Sequence, residues 1–298
     1  MQPKLRLLWL QGITCNGNSH SFLNHPQLAT LLEPFELLYH PLLPCTHTLE
    51  AIAACEAACD VLIVEGAYRA DFERAGVPMK KLLAHYAEGA SHVIAAGSCA
   101  SFGGMLKATD PDKVSGILLN DDQVSGPLKA QREKVINIPG CPIHPEWLAF
   151  VLTLVAASKP MPLDALRRPQ ELFAYLVHHG CMRNEYFEWK VDAEGFGLKE
   201  GCLFYDQGCR GPMTHGACNK MLWNDAASKT RSGQPCFGCT EPDFPRRDLF
   251  STKKNMSIPD EVPLGVPKRS YLTVTGVAKT FTIPRLEQRL IDDHTPTD

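Results

Sequence analysis

The sequence predicts an α/β protein, with an open parallel sheet over roughly the first half and a second, irregular domain after it. Three observations lead there. Apolar runs of strand length alternate with helix-like segments as far as Ser158. Between Leu172 and Cys239 the hydrophobic periodicity weakens while cysteine, glycine and histidine accumulate, so that stretch is organised around something other than apolar packing. At 298 residues the chain is also long enough to bury a sizeable core without disulfides.

Five strands are expected, at Leu5–Leu10, Phe35–Tyr39, Val61–Val64, His92–Ala96 and Lys134–Ile138. Helix-like segments lie around Pro26–Leu32, Thr48–Cys59 and Pro78–Ala87. Ligands of open parallel sheets sit beyond the carboxyl ends of the strands, which is where Cys15, Glu65, Cys99 and Cys141 fall. A helix with Pro145 in its first turn runs through Trp147, Leu148, Val151 and Leu154 to about Ser158. Pro160, Pro162 and Pro169 then mark a boundary, which divides the chain into a sheet domain over 1–160, a cysteine-rich domain over 161–250 and a tail over 251–298. The tail carries Pro259, Pro263, Pro267 and Pro284 and reads as extended, wrapping the body or a partner. Its Lys268, Arg269, Arg285 and Arg289 read as a solvated charged face, with a partner surface as the alternative.

Apolar residues make up 44% of the chain and charged residues 21%, an ordinary globular balance, and a net charge of −3 gives no reason to expect a nucleic-acid or anionic-membrane partner. No run of 18 apolar residues could form a transmembrane helix. Met1 to Leu10 show no twin-arginine pair or signal-peptide core, so a cytoplasmic location is expected, with any membrane attachment supplied by a partner.

Twelve cysteines are fewer than a secreted disulfide scaffold carries and more than an ordinary cytosolic enzyme does. Their context decides between readings. Glycine directly precedes Cys141, Cys181, Cys202, Cys209 and Cys239. Glycine lets the backbone approach a bulky inorganic body and aim N–H groups at sulfur, which iron-sulfur clusters require and disulfides do not. Cys45, Cys55 and Cys59 lack this context and read as buried apolar fillers, the last two in an alanine-rich helical segment. The remaining nine fall by position into three groups: Cys15, Cys99 and Cys141; Cys181, Cys202 and Cys209 with His178; and Cys218, Cys236 and Cys239. A zinc site using Cys209, Cys218, Cys236 and Cys239 is an alternative, although the chain has one CxxC knuckle where a zinc ribbon pairs two. The loop Gly97-Ser98-Cys99-Ala100-Ser101-Phe102-Gly103-Gly104 could instead cradle the phosphate of a flavin or nucleotide, but it matches neither standard fingerprint and holds a thiol at its centre.

Several ordered segments together resemble the small subunit of nickel-iron hydrogenases over residues 5 to about 245. They are Trp9-Leu10-Gln11-Gly12 leading to Cys15-Asn16-Gly17-Asn18; Val64-Glu65-Gly66-Ala67; Gly97-Ser98-Cys99; Pro139-Gly140-Cys141-Pro142 with Pro145; Cys209-Arg210-Gly211-Pro212; and Pro235-Cys236-Phe237-Gly238-Cys239 followed by Glu241-Pro242-Asp243-Phe244. The resemblance implies a flavodoxin-like first domain and an electron-relay role beside a large subunit that carries the nickel-iron centre. It implies three iron-sulfur clusters: a proximal one on Cys15, Cys99 and Cys141, a distal 4Fe-4S one on His178, Cys181, Cys202 and Cys209, and a medial 3Fe-4S one on Cys218, Cys236 and Cys239. It also implies a downstream electron acceptor and a higher oligomer of heterodimers. A hydrogen-sensing regulatory subunit would share all of these residues. A quinone-reductase-type subunit would match only the sheet domain and one cluster.

Two positions depart from the family pattern. Cys202 to Cys209 is one residue longer than the common spacing, and Asn18 stands where the first motif usually has its second cysteine. A neutral, hard amide substitutes poorly for thiolate on iron. The proximal site is therefore expected to be a 3Fe-4S cluster, or a 4Fe-4S cluster whose fourth iron is held by Asn18, water or another group. Fewer thiolate charges raise a cluster's potential, which biases the enzyme toward hydrogen uptake.

Overall fold

The structure, a computed structural model, describes residues 3–278 and Thr280. Two compact units emerge. One holds the residues up to Ala174 together with Cys239–Pro245, and the other holds Tyr175–Gly238 with the described residues from Arg246 on.

The first unit is built on a sheet of five strands, β1 (Leu5–Gln11), β2 (Phe35–Tyr39), β3 (Val61–Glu65), β4 (His92–Ala96) and β5 (Val135–Ile138), in the order β5-β4-β3-β1-β2. Every neighbouring pair is parallel. This is the flavodoxin-like order expected for the domain. β3 lies at the centre and is buried at all five positions, hence its unbroken Val-Leu-Ile-Val run. Leu8 and Leu10 of β1, Leu62 and Val64 of β3, and Val93 and Ala95 of β4 share one face. Against them packs the helix Met79–Gly89, which presents Met79, Leu82, Leu83, Tyr86 and Ala87 at helical spacing. Trp9 points the other way and stacks on Phe22 of the helix Gly17–Leu23. The expected proline-led helix is Pro145–Ala156, with His144 as N-cap accepting from the Glu146 N–H.

Three expectations for the first unit need correction. The alanine-rich segment is helical only over Leu49–Ala53, because Cys55 takes a left-handed conformation (φ 60°) and ends it. The residues beyond turn instead to deliver Asp60 to the backbone N–H and guanidinium of Arg6, immediately before β3. Of the three presumed fillers only Cys59 is buried; Cys55 is half-buried and Cys45 exposed. The prolines at 160–169 do not end the first unit. Residues 166 and 167 accept hydrogen bonds from Asn137 on β5, and Phe173 packs edge-on against Trp147, ring centroids 5.0 Å apart.

The second unit has little regular structure, as its weak periodicity foretold. It contains the short helix Asn184–Glu188, a two-stranded ribbon pairing Lys254–Asn255 with Ile258–Pro259, and the helix Lys268–Ala278. That last helix corrects the extended reading of the tail: Tyr271 on it is 2% exposed, against Phe187 and Phe204. Lys268 and Arg269 are exposed, while Arg285 and Arg289 lie outside the described residues.

Candidate metal centres

In the first unit the carboxyl ends of β1, β3, β4 and β5 share one edge of the sheet. Cys15 follows β1, Glu65 ends β3, Cys99 sits in the helix Gly97–Phe102 directly after β4, and Cys141 follows β5. The loops after β1 and β3 are drawn together by paired backbone hydrogen bonds between Ile13 and Ala67. Gly66 (φ +94°) permits this: a Cβ there would meet the Ile13 carbonyl oxygen at 2.4 Å. The Cys99 and Cys141 loops are joined in turn, the Ser98 N–H donating to the Gly140 carbonyl and the Gly140 N–H to the Ser98 hydroxyl, both at 2.9 Å.

Asn18 is only 6% exposed and ties these loops to one another. Its amide nitrogen donates to the Ala96 carbonyl at 3.1 Å, and its amide oxygen accepts from the Ile143 N–H at 2.9 Å. Its backbone N–H donates to Glu65, a fully buried carboxylate that also accepts from Trp9 Nε1, the Ser19 N–H and the Ser19 hydroxyl. The sulfurs have room and donors: Gly17 leaves space beside Cys15 Sγ, and the Met105 and Leu106 N–H groups donate to Cys99. Burial nevertheless pushes the Cys99 thiol up.

In the second unit the fit to an anionic group can be tested directly. His178, Cys181, Cys202 and Cys209 line one pocket of about 320 Å³, a figure that counts the solvent at its mouth. Backbone N–H groups reach all three sulfurs at 3.4 Å: Arg183 to Cys181, Phe204 to Cys202, and Cys236 to Cys209. Such donors stabilise metal-bound thiolate sulfur. Burial pushes the Cys202 thiol well up and the Cys209 thiol to about 11, so an anionic form there calls for a cationic metal. Burial, with His179 and Lys190 nearby, lowers His178 to about 4, which keeps its imidazole neutral and able to donate a lone pair. Arg183, also lining the pocket, is 3% exposed and bonds only to backbone carbonyls. A buried cation with no carboxylate partner calls for an anion, so the residues present fit a thiolate-bound iron-sulfur group.

Of the third group, Cys218 and Cys236 lie in the second unit, packed with Val177, Leu203 and Cys209. Cys239 belongs to the first unit, where its carbonyl accepts from the Ser98 hydroxyl. None of the twelve cysteines is in a disulfide, and among the described residues no three His, Cys, Asp or Glu side chains gather as a single metal ion would need. Sequence reasoning passed over Arg183, Ser19 and Lys190. Only Arg183 carried a signal, as a cation two residues after a candidate thiolate.

A sheet edge lined with thiols and a pocket lined with thiols and an imidazole are the parts of a metal-dependent redox protein. A family model for the C-terminal part of the NiFe/NiFeSe hydrogenase small subunit matches residues 173–251, and one described as NADH ubiquinone oxidoreductase, 20 Kd subunit, matches residues 15–155. The periplasmic [NiFe] hydrogenase small subunit of Solidesulfovibrio fructosivorans is 32% identical, over 80% of this chain and 78% of its own. The uptake hydrogenase small subunit of Azotobacter vinelandii is 29% identical, over 97% of this chain and 86% of its own. The solved [NiFeSe] hydrogenase of Desulfovibrio vulgaris Hildenborough superposes with a TM-score of 0.69 at 27% identity, over 83% of this chain and 98% of that one. This chain belongs to the family of nickel-iron hydrogenase small subunits. No described helix is long and apolar enough to cross a membrane.

Proposed function

We propose that this chain is the electron-relay subunit of an uptake-type nickel-iron hydrogenase, partnered by a large subunit that carries the nickel-iron centre and passing electrons to an external acceptor. The pocket of His178, Cys181, Cys202 and Cys209, with sulfur-directed N–H groups and a buried cation, carries this reading. Iron-sulfur clusters, when bound, supply reversible one-electron transfer.

In this reading the pocket holds a 4Fe-4S group through one neutral imidazole and three thiolates. Cys218, Cys236 and Cys239 hold a medial 3Fe-4S group, since no cysteine lies between Cys218 and Cys236 to act as a fourth ligand. Cys15, Cys99 and Cys141 hold the proximal group. Both ends of the Asn18 amide are already bonded to backbone, which favours a three-thiolate 3Fe-4S site there. One thiolate fewer raises the proximal potential, hence the uptake bias.

The experiment is co-purification with the large subunit followed by metal and sulfide analysis. About ten irons per small subunit are expected, from two three-iron sites and one four-iron site, besides the iron of the partner's centre. A colourless, zinc-containing protein would overturn the reading. Electron paramagnetic resonance of the oxidised complex should show two 3Fe-4S signals, and Asn18→Cys should alter one of them. A single signal untouched by Asn18→Cys would refute the three-iron proximal site. Turnover with artificial dyes separates an uptake enzyme from a hydrogen sensor. Cell fractionation tests the cytoplasmic location against the periplasmic one named for the Solidesulfovibrio relative.

A further inference from the structure

We propose that Arg183 and Lys190 are built-in counter-charges of the His178–Cys181–Cys202–Cys209 pocket, and that they hold up the reduction potential of the group bound there. The inference rests on the assignment of that pocket as the distal site and goes beyond it by naming which side chains set the potential.

The four hydrogen bonds of the Arg183 guanidinium all end on neutral carbonyls: Thr230 at 2.9 Å, Gly201 at 2.8 Å, Glu200 at 3.2 Å, and Leu198. These bonds fix the group in place but leave its charge uncompensated. A guanidinium stays charged in proteins, and burying it without an anion is costly. The anion available is the thiolate set of the pocket it lines, to which its own backbone N–H donates at Cys181.

Lys190 lies one ring away from the pocket. Its ammonium lies 3.8 Å from the centroid of Phe187 and 4.8 Å from that of Tyr271, and it donates to the Phe187 carbonyl at 2.7 Å. Phe187 packs edge-on against the His178 ring, centroids 4.5 Å apart. Lys190 also precedes Val191, whose carbonyl accepts from the Cys202 N–H at 2.8 Å. Arg183 thus stands beside the thiol-lined pocket with no carboxylate partner, and Lys190, which also has Glu188 and Asp192 nearby, adds a weaker positive charge at its edge.

The sign follows from charge. Three thiolates and a neutral imidazole leave a 4Fe-4S site anionic, and reduction adds one more negative charge. Nearby cations therefore stabilise the reduced form more than the oxidised form and raise the potential. Removing a cation lowers it, more for the buried, pocket-lining Arg183 than for half-buried Lys190. A raised potential at this site favours arrival of the electron there from the sites before it.

The test uses the purified complex with its large subunit, comparing wild type with Arg183→Gln, Arg183→Lys, Lys190→Gln and Cys209→Ala. The readouts are the midpoint potential of the four-iron paramagnetic signal and the iron and sulfide content. Arg183→Gln keeps a donor for the carbonyls but loses the charge. It should lower the midpoint or lose about four irons, with Arg183→Lys recovering most of the effect. Lys190→Gln should give a smaller lowering at full iron content. Wild-type midpoint and iron in both neutral variants would overturn the proposal. If Arg183→Gln fails to accumulate, Lys190→Gln decides alone, a lowered midpoint supporting the proposal and an unchanged one overturning it. Cys209→Ala tests the underlying assignment separately: a four-iron signal untouched by it would remove the distal site from this pocket, and the counter-charge role with it.

Discussion

Asn18 shows how one buried amide can brace two loops. Its amide spans the Ala96 carbonyl and the Ile143 N–H, so the same side chain touches the approaches to both Cys99 and Cys141. Asn18→Ala would leave both groups buried and unpaired, at about 1–3 kcal/mol per group, and should appear as a lowered thermal midpoint of the complex. Glu261 makes a second residue-level case. Hydrogen bonds from Arg246 and then Arg210, against an opposing cost of burial, hold its carboxyl at about 2, below its ordinary 4.5. Because the folded value is the lower one, this stabilisation is complete above about pH 4.5 and is lost as pH falls toward 2. Denaturant midpoints of wild type and Glu261→Gln should therefore differ at pH 6 and converge near pH 2, less so at high salt since Glu261 is partly exposed. A gap that persists at low pH would contradict this origin.

Strands and helices act here as supports that carry loops to one edge. The helix bearing Cys99 begins at Gly97 (φ +87°), where a Cβ would come 2.5 Å from the Asn18 amide nitrogen. Gly97→Ala therefore incurs backbone strain and displaces the brace together. On the proposed assignment it is expected to remove the signal of the group at Cys15, Cys99 and Cys141 while sparing that of the group at His178, Cys181, Cys202 and Cys209. Equal loss of both signals would show a general folding defect instead. The helix Pro145–Ala156 supports the same edge by packing: Trp147 on it is 1% exposed, stacked on His144 and edge-on to Phe173. Truncating it to alanine should cost about 3–5 kcal/mol, read as a shift in denaturant midpoint.

Over the whole chain, the connectivity returns to the first unit after leaving it. Residues Cys239–Pro245 rejoin the sheet domain late in the sequence, and Arg168 pins them there. Its guanidinium, 4% exposed, binds Asp164, the Thr240 carbonyl and Glu241. Breaking such a buried pair costs about 3–5 kcal/mol. Arg168→Leu should thus lower the melting midpoint and, if the proposed medial group rests on Cys239, deplete its signal while that of the proposed His178–Cys181–Cys202–Cys209 group is retained. Unchanged signals would mean that the returning segment keeps its place without Arg168.

All five sheet strands and the proline-led helix were legible in the amino-acid order, because the central strand β3 is a continuous apolar run buried throughout, the others are short and mainly apolar, and Pro145 suits a helix's first turn. The glycines before the thiols were legible as positions, but the structure gives them another reason: a Cβ would meet Ile143 at Gly140, Ala193 at Gly201 and Ser251 at Gly208. Other features were decided only by tertiary structure. The fate of the alanine-rich segment depended on the pairing of Asp60 with Arg6, the reach of the first unit on bonds from Asn137 to residues 166 and 167, and the helical tail on burial of Tyr271 among aromatics. The two uses of polar groups that matter most, Asn18 as a brace and Arg183 as a buried cation without a carboxylate, were equally hidden. A hydrogen bond or a missing counter-ion depends on partners distant in sequence, and those partners exist only once the chain has folded.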